Sequence, residues 1–271
     1  MKCCFSPLDI ISSLFRVSHC SQSPLLVLLL CSMYSIREGH AQDLPQVADI
    51  SSEALWKDEI VQYLAPFREQ YPLSHRNHYL HLVRKRFFGG DRLLVVILDS
   101  DKSCESRQGD YIVGFAFWSN LGTTHSVGGI RSSFSQWVEQ SGLWLEGQAR
   151  WYFYMDRSFD RSRVLQFWQL LRDNNFFDVS DDSIELEMLA VRSHLQRRGI
   201  GSILLSWGLR EAYQRSVSVR VAATSRGRAL YEKHGFTVTK QLHFEEGQFI
   251  WYSMFRPSHP SECDIEVQSN R

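Results

Sequence analysis

From Met33 onward, short apolar runs alternate with stretches whose apolar residues recur at helical spacing. Residues 34–38 (YSIRE) alternate as a strand does. Asp43 is an N-cap candidate before Leu44-Pro45, and Leu44, Val47, Ile50, Leu55 and Ile60 predict a helix, whole or broken, ending before Pro66. A second helix is predicted over about 74–88, stopped by Gly89-Gly90. Residues 93–98 (LLVVIL) and 111–118 (YIVGFAFW) predict the two strands of a hairpin with a long polar loop, 99–109. Residues 132–178 are rich in aromatics and read mostly as helix, most clearly over 164–171. A turn at Ser180-Asp181-Asp182 leads into a strand over 184–191, a helix over 199–213 and a strand over 217–223. That order predicts a right-handed βαβ unit with parallel strands. A short helix over 225–233 closes at His234-Gly235, and residues 236–242 and 248–255 predict a last hairpin across Glu245-Glu246-Gly247. The chain contains no internal repeat, and its tail, 257–271, is polar.

The stretch 186–201, LEMLAVRSHLQRRGIG, concentrates the candidate chemistry. A strand feeds a glycine-containing turn that opens a helix, so unpaired backbone N–H groups and the positive helix end converge on one spot. Gln196, Arg197 and Arg198 add side-chain donors there, which points to a phosphate-bearing ligand. The glycines fit a backbone that approaches a phosphate too closely for a Cβ.

Composition narrows the class. At 271 residues with 44% apolar content the chain supports one large domain or two small ones with a substantial core. Thirty basic residues balance thirty acidic ones, so no global field draws it to nucleic acid or to a membrane. Cys3, Cys4, Cys20 and Cys31 precede Met33, leaving only Cys104 and Cys263 in the body. This argues against a disulfide framework and for a reducing compartment, with the cytoplasm the expected location. Residues 1–32 differ from the rest: their apolar run, 25–31, is too short to span a bilayer, and no clear small-x-small cleavage site follows. They read as a disordered extension or a start misplaced ahead of Met33, as a signal or anchor segment, or as an organelle-targeting peptide.

Strand, helices, hairpin, βαβ, short helix and hairpin, in that order, resemble the GNAT superfamily of acyl-CoA-dependent N-acetyltransferases. The family's Q/R-x-x-G-x-G/A motif corresponds to Gln196-Arg197-Arg198-Gly199-Ile200-Gly201, preceded by Leu189-Ala190-Val191. About thirty residues on, Ala229-Leu230-Tyr231-Glu232-Lys233-His234-Gly235-Phe236 is similar to the family's A-x-x-L-Y-x-x-x-G-F element. The resemblance covers about 33–256 and implies an α/β fold, a mixed sheet of about six to seven strands holding the βαβ unit. Two features depart from the pattern: Thr224 stands where the family often has Asn, and about 60 residues, 121–182, separate the third and fourth strands.

The resemblance implies acetyl-CoA as co-substrate and an amine as acceptor, with no metal, and direct attack in a ternary complex. Cofactor contacts would fall on Leu189, Ala190, Val191, Gln196, Arg197, Arg198, Gly199, Ile200, Gly201, Ser202 and Thr224. Tyr231 corresponds to the tyrosine that protonates the departing thiolate in many relatives. Glu185 aligns with the base of the histone-modifying members, and Glu187 shares its strand face by alternation. The rival readings are a relative using a longer acyl-CoA or an aminoacyl donor, a module that binds acyl-CoA without turning it over, and a secreted binding protein, which the Cys-poor body disfavours. His75, His78 and His81 recur every third residue, a spacing that drifts around a helix and makes a poor metal face. Phe134, Trp137, Trp144, Trp151, Tyr152, Phe153, Tyr154, Phe167, Trp168, Phe176 and Phe177 are expected to form a satellite core, an acceptor-side wall, or both.

Overall fold

A computed structural model describes residues 34–98, 110–120, 133–176, 183–244 and 249–258. The three readings of the N-terminal segment, all six cysteines, Phe177 and the tail beyond 258 lie outside the described residues. The strands are β1 (Tyr34–Glu38), β2 (Arg92–Leu98), β3 (Ile112–Ser119), β4 (Ser183–Val191), β5 (Ser218–Thr224), β6 (Thr237–Phe244) and β7 (Phe249–Arg256). The helices are α1 (Leu44–Ala54), α2 (Glu59–Leu64), α3 (Pro72–Gly89), α4 (Ser133–Tyr152), α5 (Arg161–Asp173), α6 (Ile200–Arg215) and α7 (Ser225–Lys233). The strands form one sheet in the order β1-β2-β3-β4-β5-β7-β6, antiparallel throughout except for the parallel pair β4 and β5. The expected mixed sheet and its βαβ unit are therefore present.

Local chemistry accounts for most element ends. The predicted first helix is broken: α1 ends at Ala54, and Asp58 caps α2 by accepting from the N–H of Ile60 at 3.1 Å. Asp43 precedes α1 as expected but does not cap it. Its carboxylate instead accepts from the N–H of His40 and pairs with Arg37, tying β1 to the start of α1. Gly90, at φ 109°, ends α3 in the left-handed conformation.

Three apolar clusters cover the two faces of the sheet. On one face α6 and α7 bury Leu204, Leu205 and Tyr231 against Trp118, Leu186, Val221 and Met254. On the other, α1 and α3 pack Val47, Ile50 and Val83 against Phe115 and Phe117, while α2 and α5 pack Tyr63 and Phe167 against Phe244 and Phe249. Among the insertion aromatics, Phe167 and Phe176 join this core, at 4% and 1% exposure. Trp137, Trp144, Tyr152, Phe153, Tyr154 and Trp168 do not, each being more than half exposed. The satellite-core expectation thus holds for only part of the insertion, because α4 and α5 turn most of their large rings outward.

Trp118 sets the spacing between β3 and α6. Its ring is fully buried and lies against the backbone of Gly208, where an added Cβ would sit 2.2 Å from the indole. Gly208 is therefore required by contact and not by conformation. Gly208→Ala gains about 1 kcal/mol of helix propensity but overpacks the core, which costs about 1–3 kcal/mol or more. With the added Cβ overlapping the indole so closely, denaturant unfolding is expected to show a net loss of up to about 2 kcal/mol. Adding Gly208→Ala to a Trp118→Phe background should cost clearly less, and additive effects would show that the two positions do not meet.

Candidate active site

β4 and β5 pair over only four positions, from Ser183 opposite Ser218 to Leu186 opposite Val221. Beyond Leu186 the two strands part: β4 stays on β3 to Val191, and β5 stays on β7 to Thr224. A bulge accompanies the parting. Phe117 faces Met188 and Trp118 faces Leu186, so Glu187 is an extra residue on β4. It inverts the alternation that follows. Ile184 and Leu186 pack on the α6 face, and so do Leu189 and Val191, while Met188 and Ala190 pack with α1 and α3.

The opened edge of β4 carries backbone donors. The N–H of Arg192 bonds the carbonyl of Val113 on β3, so antiparallel alternation turns the N–H groups of Val191 and Leu189 away from β3, into the slot. The motif turn follows directly. Arg197 and Gly199 both take positive φ, 63° and 85°, and Gly199 caps α6. This geometry aims consecutive N–H groups outward at a helix N-terminus, an anion-binding arrangement. Gly199 has a conformational reason to be glycine. Gly201 has none within the chain, since an added Cβ would meet Leu230 and Leu189 only at 3.4 and 3.6 Å.

The motif side chains divide. Arg197 and Arg198 are exposed, whereas Gln196 donates its amide to the carbonyl of Val191 at 3.1 Å and shapes the turn. Ile200 is buried in the core, and Ser202 lies half-buried in the first turn of α6. Thr224, at the end of β5, donates its hydroxyl to the Asp58 carboxylate, and Ser225 bonds Glu59 at 3.1 Å. The start of α2 is thereby docked on the start of α7. Burial pushes the Asp58 carboxyl up despite these bonds.

The two strand glutamates differ in their surroundings. Glu187, the bulge residue, accepts from the Ser119 hydroxyl at 3.0 Å and pairs with Arg86 of α3 at 2.7 Å. Arg86 also holds Asp91 at 3.1 Å. Glu185 stands opposite Arg220 in the parallel register. Burial, reinforced by the nearby Glu187 charge, lifts its carboxyl above the ordinary range, and Arg220 and Arg86 offset part of the rise. Tyr231 lies in α7, one helix beyond the end of β5, with its ring edge-on to Phe236 at 5.7 Å. Burial raises its phenol well above the usual value, away from a thiol and not close to one as its residue type alone suggests.

Arg86, Asp91, Arg220 and Asp58 carried no motif in sequence and are placed here only by the fold. The three histidines of α3 separate. His75 is fully buried beside Trp56, Tyr79 and Phe159; His78 approaches Asp156 at 3.4 Å and His81 approaches Glu146 at 3.3 Å. Among the described residues no group of three or more His, Cys, Asp or Glu is placed to hold a metal, and no helix is long and apolar enough to cross a membrane. An open groove of about 940 Å³ lies between α3 and α4, beside His81, Lys85 and Trp144, and not over the β4–β5 slot.

Comparison with known proteins adds three likenesses. The sequence profile of the Acetyltransferase (GNAT) domain matches residues 151–238, which contain β4, the motif turn, α6, β5 and α7. An acetyltransferase of Stachybotrys chartarum is 26% identical over 212 residues, 77% of this chain and 83% of the relative. The crystal structure of histone acetyltransferase HPA2 and related acetyltransferase from Corynebacterium glutamicum superposes with a TM-score of 0.51 at 16% identity. It covers 84% of this chain and 99% of that one, a likeness of fold. Residues 151–238 thus match the profile of the Acetyltransferase (GNAT) domain, and the chain is similar in sequence to an acetyltransferase and in fold to the solved structure above.

Proposed function

We propose that the protein transfers the acetyl group of acetyl-CoA to an amine by direct attack in a ternary complex. The observation that carries this reading is the parting of β4 from β5 immediately before a turn built to hold an anion. The turn N–H groups from Arg197 to Gly201 grip the pyrophosphate, with Arg197 and Arg198 beside them. The acyl arm enters the slot beyond Leu186, where the N–H groups of Leu189 and Val191 meet the thioester oxygen and the oxyanion that forms from it. Thr224 meets the arm through its backbone, its hydroxyl being engaged by Asp58.

Glu185 is the general base. Glu187 is held by Arg86 and Ser119, which assigns it to fixing the bulge. A raised carboxyl pKa brings Glu185 nearer to the amine it deprotonates, directly or through water. The neutral amine attacks the thioester carbon, the tetrahedral intermediate collapses, and the C–S bond breaks. Tyr231 gives its proton to the sulfur. A buried phenol stays protonated at neutral pH, and the slot that raises its pKa also disfavours a bare thiolate, so transfer is favourable as that charge develops.

These roles separate in kinetics. Thiol release from acetyl-CoA, measured across a panel of primary amines, should fall at least about 100-fold in Glu185→Gln with little change in acetyl-CoA affinity. In the unaltered protein, activity should be lost as pH falls through the raised Glu185 pKa, because the protonated carboxyl cannot accept. Arg220→Gln removes a charge that lowers this pKa, so the acidic limb should move to higher pH; an unmoved limb would show that Glu185 does not titrate it. Tyr231→Phe should lower turnover by about 10–100-fold and leave acetyl-CoA affinity nearly unchanged. Equal turnover would remove its role as acid, and acetyl-CoA binding with no thiol release for any amine would favour a non-catalytic module.

A further inference from the structure

The insertion helix α4 carries a surface that the catalytic reading does not use. Its inner face is committed to α3. Leu143 is buried there, Gln140 donates to the carbonyl of Phe88 at 2.9 Å, and Gly147 lies close to His81, its missing Cβ position 3.3 Å from the imidazole. The outer face repeats every seven residues. Trp137, Trp144 and Trp151 form one row, and Val138, Leu145 and Tyr152 a second row beside it. Seven residues are nearly two helical turns, so these rows drift by only about 20° per repeat and make one stripe along the helix.

The stripe is open to solvent, and its Trp137–Trp144 row also forms one wall of the groove between α3 and α4, opposite His81 and Lys85. Trp137, Trp144, Leu145 and Tyr152 are 62%, 63%, 60% and 76% exposed. The other residues of the helix in this arc, Phe134, Ser141 and Gln148, carry no charge; Arg161 of α5 lies 4.1 Å over the ring of Trp151 at the end of the stripe. The chain continues the apolar surface past the helix end, where the ring of Phe153 stands 5.5 Å from that of Tyr152 and is itself 72% exposed.

Area and charge together select the occupant. With aromatic side chains worth about 150–250 Å² each, the exposed part of this surface amounts to roughly 800 Å², above the few hundred Å² usual for a monomer. It also matches the roughly 800 Å² per partner of a stable protein interface. An uncharged, Trp- and Tyr-rich centre is the composition of a protein–protein contact. An interfacial membrane helix has a basic polar face instead, whereas α4 carries Glu139, Glu146 and Arg150. Two-fold association of identical chains is the commonest closed assembly and needs a self-complementary patch, which a stripe of evenly spaced rings supplies. We infer that the outer face of α4 is an interface between two copies of this chain, packed stripe against stripe.

Sedimentation of the full chain at micromolar concentration tests this. The expected mass is twice the 31.6 kDa of one chain. Trp137→Glu with Trp144→Glu places unpaired carboxylates in the contact and should weaken association at least about 100-fold, giving single chains whose far-UV circular dichroism is unchanged. Trp168→Glu, on α5 outside the stripe and 52% exposed, should leave the dimer intact. Single chains for the unaltered protein would overturn the inference, whether or not they bind anionic vesicles. So would a dimer that survives the double substitution, or dissociation by Trp168→Glu alone.

Discussion

The ion pair between Arg86 and Glu187 is the contact on which the site's geometry depends. Glu187 is the surplus residue of β4, and a surplus residue bends its strand and locally disrupts the ladder. Arg86 reaches it from the last turn of α3 and Ser119 from the end of β3, so three elements converge on one carboxylate. One residue beyond the last β4–β5 pair, this clamp coincides with the place where the sheet opens. The parity change it causes lets Leu189 and Val191 face α6 while the backbone between them borders the slot. The proposed binding of the acyl arm and the proposed oxyanion contact both rest on that local irregularity.

The two faces of the sheet then take different tasks. The α6–α7 face holds the motif turn and Tyr231 and is closed by rigid packing, with Trp118 laid on Gly208. The opposite face holds Glu185, Glu187 and Arg220 and is covered by two separate helical groups, α1 with α3 and α2 with α5. Asp58 bridges toward the first face by engaging Thr224 at the end of β5. Substrate access from the second face is consistent with its being covered by two clusters and not by one. The insertion contributes to both groups: α5 enters the core through Phe167, and α4 rests on α3 with its ring-bearing face outward.

Much of this was legible along the chain because it rests on short-range rules. β1 and α7 occupy the predicted spans, and the break before α2 was anticipated as an alternative. The motif turn was readable because glycine spacing, helix entry and strand exit are all local. What escaped was set by contacts distant in sequence. Alternation placed Glu185 and Glu187 on one face but could not distinguish them, since the distinction lies in Arg86, about a hundred residues earlier. Asp43 showed a cap pattern, yet a guanidinium six residues upstream claimed its carboxylate. The aromatic insertion read as core because large rings usually are; which of them are buried depends on how α4 and α5 lie on α3 and the sheet, and periodicity alone does not specify that.

In the proposed mechanism acyl-CoA occupies the gap between β4 and β5. A crystal structure of the protein with CoA tests it most directly. The predicted result places the pyrophosphate on the backbone N–H groups of Arg197 to Gly201, runs the pantetheine arm between the strands beyond Leu186, and brings the sulfur toward Tyr231. CoA bound elsewhere, such as in the groove between α3 and α4, with β4 and β5 empty between them, would contradict it.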